Sequence, residues 1–171
     1  MAEKSGDADL AAINSWLVDH WPEQPANPAI CHGDFHPNNI LFADGEVTGL
    51  IDWGNVMFTH PEFDVGVTHM ILSIGSIDEV SGLSEEMQQF IERAAIEYLA
   101  AYRSHAPLDD ALLSYYRALR AEHAYAKIVA SRQGADLPYL AHDGYAWAHP
   151  ALFAAIRKIL ENTTGVMLDP A

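Results

Sequence analysis

The feature that most constrains how this chain folds lies between residues 30 and 54. A polar stretch without apolar periodicity, Cys31-His32-Gly33-Asp34-Phe35-His36-Pro37-Asn38-Asn39, is followed by two short apolar runs on either side of Ala43-Asp44-Gly45-Glu46, and then by Ile51-Asp52-Trp53-Gly54. Asp-Gly between two such runs signals a hairpin, because a tight turn needs backbone with positive φ, which these residues tolerate. Residues 39–42 and 47–51 are therefore read as two antiparallel strands. Pairing them sets Asn39, at the start of one, beside Asp52, at the end of the other.

The polar side chains held in this frame are an H-x-D, an Asn five residues after the Asp, and a second Asp beyond the hairpin. Transfer of a phosphoryl group to a hydroxyl uses such a set. One carboxylate accepts or orients the hydroxyl proton, while an amide oxygen and a second carboxylate hold Mg²⁺ on the nucleotide phosphates. On this division Asp34 is the catalytic base, and Asn39 and Asp52 bind the metal and, through it, the nucleotide.

His32-Gly33-Asp34-Phe35-His36-Pro37-Asn38-Asn39 together with Ile51-Asp52-Trp53-Gly54 resembles the aminoglycoside phosphotransferase family, whose H-G-D-x-x-x-x-N and I-D-W/F motifs it matches in order and spacing. Pro61 and Asp64 resemble the family's Asp-Pro-x-x-Asp element, with His60 in place of its first Asp. The close resemblance runs from about residue 30 to residue 66. It implies an α+β, mostly α-helical fold, the C-terminal lobe of the protein-kinase-like architecture with a short β-hairpin after the catalytic loop. The implied activity is phosphorylation of a small-molecule hydroxyl with Mg²⁺ and ATP or GTP. Aminoglycoside, macrolide, choline-like and sugar acceptors all occur in this neighbourhood, so the acceptor stays open. Asp64 is expected to brace the loop by accepting backbone N–H bonds, and His32 to pack beneath it. His36 either orients Asp34, approaches a phosphate or stays at the surface. Phe35 and Trp53 are read as core aromatics.

Composition narrows the partners. The net charge of −15 argues against nucleic acid and anionic membrane. It is compatible with a cationic acceptor, but an acidic surface that keeps the protein soluble is the preferred account. The 171 residues, half of them hydrophobic, suffice for one domain with a real core spanning 1–171. No apolar run reaches membrane-spanning length, and residues 1–7 carry no apolar signal region. The one cysteine, Cys31, excludes an internal disulfide, suits a cytoplasmic setting and reads as a buried structural thiol.

Outside the motif the periodicity is helical. Asp7 or Asp9 caps a helix to about residue 20, with Leu10, Ile13, Leu17 and Trp21 on its apolar side. Three prolines between residues 22 and 28 then give an extended connector. Pro61 opens a second helix, closed at Ile74-Gly75-Ser76. Ser84 caps a third with the stripe Met87, Phe90, Ile91, Ala94, Tyr98, Ala101 and Tyr102, broken by Pro107. Asp109 or Asp110 opens a fourth, and Pro150 a last one carrying Leu152, Phe153, Ile156 and Ile159. Tyr139, His142, Asp143, Tyr145 and Trp147 form a polar-aromatic cluster that either lines a substrate pocket or is structural.

A complete kinase-like enzyme also needs a β-rich nucleotide lobe with a Gly-rich phosphate cover and a strand lysine. The only lysines are Lys4, Lys127 and Lys158, and none falls in an expected strand. The nucleotide lobe is therefore expected to be absent, and the chain to have little kinase activity alone. Two rival readings stand beside this one. His32-x-Asp34-x-His36 is also a possible metal-binding triad of a metal-dependent enzyme. Alternatively, the chain is a non-catalytic, pseudokinase-like interaction module, or it pairs with a partner that supplies the other lobe.

Overall fold

A computed structural model describes residues 7–75, 84–134 and 149–169. The cluster expected at residues 139–147 and the stop at Ser76 lie outside the described residues. The chain runs from α1 (Ala8–Asp19) through β1 (Ala29–Cys31), β2 (Ile40–Ala43), β3 (Glu46–Leu50) and β4 (Met57–Thr59), and then through α2 (Glu62–Gly75), α3 (Glu85–His105), α4 (Asp110–Arg132) and α5 (Pro150–Thr164). It is mostly helical, with two small antiparallel sheets, β1–β4 and β2–β3.

Local signals set the helix starts. The Asp7 carboxylate accepts the Leu10 N–H at 2.8 Å, Asp109 accepts those of Ala111 and Leu112, and the Ser84 hydroxyl accepts that of Met87. Each satisfies N–H groups that a helix start leaves without a carbonyl partner. At the other end of α5, Gly165 takes the left-handed conformation that closes a helix.

Helix α4 forms the spine. Its Leu113, Tyr115, Tyr116, Ala118, Ala121, Ala124, Tyr125, Ile128 and Val129 are all buried, so more than one face is covered. It packs against α2 and α5, with α1 alongside. Leu10 and Ile13 of α1 and Ile156 and Leu160 of α5 fill the same core, and full burial of such a side chain contributes about 1.5–3 kcal/mol. The α2–α4 crossing is close because Gly66 lacks a side chain. A Cβ there would stand 3.2 Å from the Leu113 carbonyl oxygen and the Arg117 nitrogen.

Two expectations about the core are corrected. Trp21 does not continue the α1 stripe; it follows the helix end and is 62 % exposed. On α3, Met87 and Phe90 are exposed and the buried residue is Ala95. The apolar period of α3 marks one face, but among the described elements this helix packs mainly on α2, which leaves Ile91, Ala94, Tyr98 and Tyr102 half-buried.

Candidate functional site

The hairpin forms as the Asp-Gly signal requires. Asp44 and Gly45 both have positive φ, and Ile40 pairs with Leu50, with one irregularity between Leu41 and Phe42. The ladder continues one step beyond the strands, where Ile51 N–H donates to the Asn39 carbonyl at 3.0 Å. The hairpin thus delivers Asn39 and the residue preceding Asp52 to one place. The other sheet was not anticipated: Ala29–Cys31 pairs with Met57–Thr59, so the loop 32–39 is anchored by strands on both sides.

A lattice of backbone bonds fixes that loop. Asp64, on α2, accepts the His32 N–H at 2.6 Å on one carboxylate oxygen and the Gly33 N–H at 2.7 Å on the other. This is the bracing expected of it. The Thr68 hydroxyl donates to the Phe35 carbonyl at 2.7 Å. His32 is buried; its Nε2 donates to the Ile51 carbonyl at 2.8 Å and its Nδ1 accepts the Asp34 N–H at 3.3 Å. Both ring nitrogens are therefore spent on backbone, which removes His32 from any metal-binding triad with Asp34 and His36. Gly33 has φ +78°, and a Cβ there would meet the Asn55 carbonyl oxygen at 2.4 Å, so only glycine fits. His60 Nδ1 lies 2.8 Å from the Tyr116 hydroxyl, which also lies 3.1 Å from the Thr59 hydroxyl. Position 60 thus bonds to α4.

The three sequence-predicted site residues stand as follows. Asn39 is buried, and its amide nitrogen donates to the Asp34 carbonyl at 2.8 Å while lying 3.2 Å from His36 Nε2. That leaves the amide oxygen, the atom a metal takes, without a hydrogen bond to any described residue. Asp52 is exposed, sits in the left-handed region at φ 61°, and precedes a single 3₁₀ turn over residues 53–55 without capping it. A non-glycine residue in that conformation is uncommon and is the kind of backbone outlier that collects at functional sites. Asp52 shares no side-chain hydrogen bond with Asp34 or Asn39; the hairpin backbone alone brings it near Asn39. Asp34 is flanked by His36 Nε2, 3.6 Å from one carboxylate oxygen, and by Arg120 Nη2, 3.4 Å from the other.

Arg120 is the residue that sequence reasoning missed. It comes from α4, far from the motif, and no local pattern announces it. Burial pushes its guanidinium below the ordinary value, and the Asp34 charge opposes that. Asp34 and Arg120 open onto a cleft of about 620 Å³, lined also by Gly54 to Met57, by Phe63 and Val67 of α2, and by Glu122, His123 and Lys127 of α4. A second hollow of about 410 Å³ lies against His32, Phe35, Trp53 and Tyr98. Trp53 is 44 % exposed, not a core aromatic. Its indole N–H donates to the Leu50 carbonyl and its ring lies 4.6 Å from His32, with no described layer over its outer face. Phe35 is half-buried. Cys31 is buried with its thiol 3.4 Å from the His60 carbonyl, and burial, with the Asp64 charge second, pushes it up to about 11. A thiol so protonated is structural.

No helix among the described residues is long and apolar enough to cross a membrane. The family model described as "Phosphotransferase enzyme family" matches residues 2–108. Among solved structures, the chain is similar to the apo form of a thermostable mutant of aminoglycoside phosphotransferase APH(4)-Ia, at 20% identity and a TM-score of 0.48. That match covers 93% of this chain and 45% of the other, so the chain spans less than half the length of that protein.

Proposed function

The chain belongs to the phosphotransferase enzyme family, and on that premise we propose that it carries the catalytic loop of a kinase acting on a small-molecule hydroxyl, with ATP or GTP as the phosphoryl donor. The single observation that supports this best is the locked orientation of Asn39. Its nitrogen is spent on the Asp34 carbonyl, and its oxygen is left beside the hairpin end that carries the exposed Asp52 carboxylate.

That donor set, one amide oxygen and one carboxylate, suits Mg²⁺, which takes one or two protein oxygens and completes its octahedron from phosphate and water. Asn39 and Asp52 would hold the ion, which when bound supplies charge neutralisation at the phosphate oxygens. Asp34 receives the acceptor's hydroxyl proton. The acceptor oxygen bonds to the γ-phosphorus, the bond from that phosphorus to the bridging oxygen breaks, and the nucleoside diphosphate leaves with the electron pair. Asp64, Thr68 and His32 keep the loop rigid, so the base needs little reorganisation at the moment of transfer.

On this reading the described residues are the catalytic lobe of a cytoplasmic enzyme. Strands β1 to β4 carry no lysine to meet the nucleotide phosphates, so the 171-residue chain alone transfers phosphate slowly and binds nucleotide weakly. Ile30, Phe42, Val47, Val56 and Phe58 on and beside the strands are exposed, with Phe58 at 66 %. Such apolar surface favours a nucleotide-covering unit or partner seated there. Calorimetric titration with millimolar ATP and GTP tests the reading. Mg²⁺ is expected to strengthen nucleotide binding by the wild-type chain, and Asn39→Ala and Asp52→Ala are each expected to erase that gain. Binding that ignores Mg²⁺, or a gain that survives both substitutions, would overturn it.

A further inference from the structure

The cleft beside Asp34 brings two cations, Arg120 and Lys127, together in an otherwise acidic protein. Arg120, His123 and Lys127, at i, i+3 and i+7 on α4, all line it, and two of them are among only nine Lys and Arg residues in the chain. Arg120 spends one N–H on Asp34 and makes no other hydrogen bond to a described residue, although a guanidinium has five to give. Burial, with Lys127 and Arg120 next, pushes His123 down to about 4, so at neutral pH it is an uncharged imidazole in the wall. The cleft's second carboxylate, Glu122, is engaged by the Asn14 amide at 3.2 Å, and burial raises its pKa. An amine-rich acceptor would therefore find one poor carboxylate and one already paired with arginine.

We propose that the acceptor is a small hydroxylated anion, bearing a carboxylate or phosphate beside the hydroxyl to be phosphorylated, and that Arg120 is its anchor. This deepens the phosphotransferase reading and rests on it for the chemical step. Arginine's planar fork matches either oxyanion in two-point contact. When the anion takes Arg120, Asp34 loses its ion-pair partner and turns to the acceptor hydroxyl, whose proton it receives as the γ-phosphoryl group is transferred from the nucleoside triphosphate. Acceptor binding thus frees the base, and a molecule lacking the anion leaves Asp34 paired.

The test uses the whole chain with ¹⁵N-labelled arginine, titrated with glycerate, glycerol 3-phosphate, glycerol and glucosamine while the Arg120 Nε–H signal is followed. Glycerate or glycerol 3-phosphate is expected to shift that signal saturably, and comparison of the two separates the carboxylate from the phosphate source. Glycerol and glucosamine are expected to bind at least tenfold more weakly. Arg120→Gln is expected to lower anion affinity at least tenfold, with Arg120→Lys intermediate, and circular dichroism checks that both variants fold. Tighter binding of glucosamine, or an Arg120 signal that neither anion moves, would overturn the proposal. Because these titrations contain no nucleotide, anion binding at Arg120 together with failure of the Mg²⁺–nucleotide test would sink the kinase reading while leaving the anion site standing.

Discussion

Replacing Asp64 with alanine is expected to cost on the order of 3–6 kcal/mol of stability, because two hydrogen bonds to a charged acceptor vanish at once and each contributes about 1.5–3 kcal/mol. The carboxylate holds the His32 and Gly33 N–H groups at 2.6 and 2.7 Å, and both residues are buried, so neither group finds water when the acceptor goes. Asp64→Asn keeps one acceptor oxygen and is expected to lose about half as much. Urea denaturation measures the total. Amide hydrogen exchange localises it: protection should collapse over residues 32–39 first, while the α4 core amides follow global stability. Equal stability of wild type and Asp64→Ala would show that the loop is held by something else.

Asp34→Asn is expected to lower phosphoryl transfer by about 10²–10⁴-fold, the usual loss for a general base. Nucleotide binding should be unchanged, since Asn39 and Asp52 are intact. Single-turnover transfer from labelled nucleotide measures the first quantity, and calorimetry the second. The same substitution removes the anion that Arg120 faces at 3.4 Å, so affinity for glycerate or glycerol 3-phosphate should rise as transfer falls. A loss of less than tenfold would remove Asp34 from the role of base.

What the sequence disclosed, and what it did not, divides along sequence distance. The caps at Asp7, Ser84 and Asp109 and the Asp44-Gly45 turn are local devices, written within four residues of where they act. The same holds for the run from His32 to Asn39, whose spacing names its candidate chemistry. The bracing by Asp64 was legible only because a motif resemblance pointed to it. Strand β4 was not, since three residues after a turn signal a strand only once β1 lies beside them. Nor was Arg120, because helical periodicity places a residue on a face but does not say which loop that face meets. The same limit explains α3, whose apolar stripe promised a core that α2 covers only in part, and Trp53, whose ring finds His32 on one side only. Net charge speaks only for the whole chain: −15 is compatible with a cationic acceptor but does not place Arg120 and Lys127 beside Asp34 and Glu122 in one cleft.

Asn39 and Asp52 are expected to hold one divalent ion, with the carboxylate of the base Asp34 close beside it. Paramagnetic NMR addresses it directly, with Mn²⁺ in place of Mg²⁺ beside a non-hydrolysable nucleoside triphosphate and ¹³C-labelled Asp and Asn side chains. The carboxyl carbons of Asp34 and Asp52 and the amide carbon of Asn39 are expected to broaden together at the lowest Mn²⁺ additions, and Asp52→Ala is expected to abolish the effect at Asp34 and Asn39. Broadening confined to Asp52, or first seen at Asp7, Asp9 and Asp169 on the far side of α4, would contradict it.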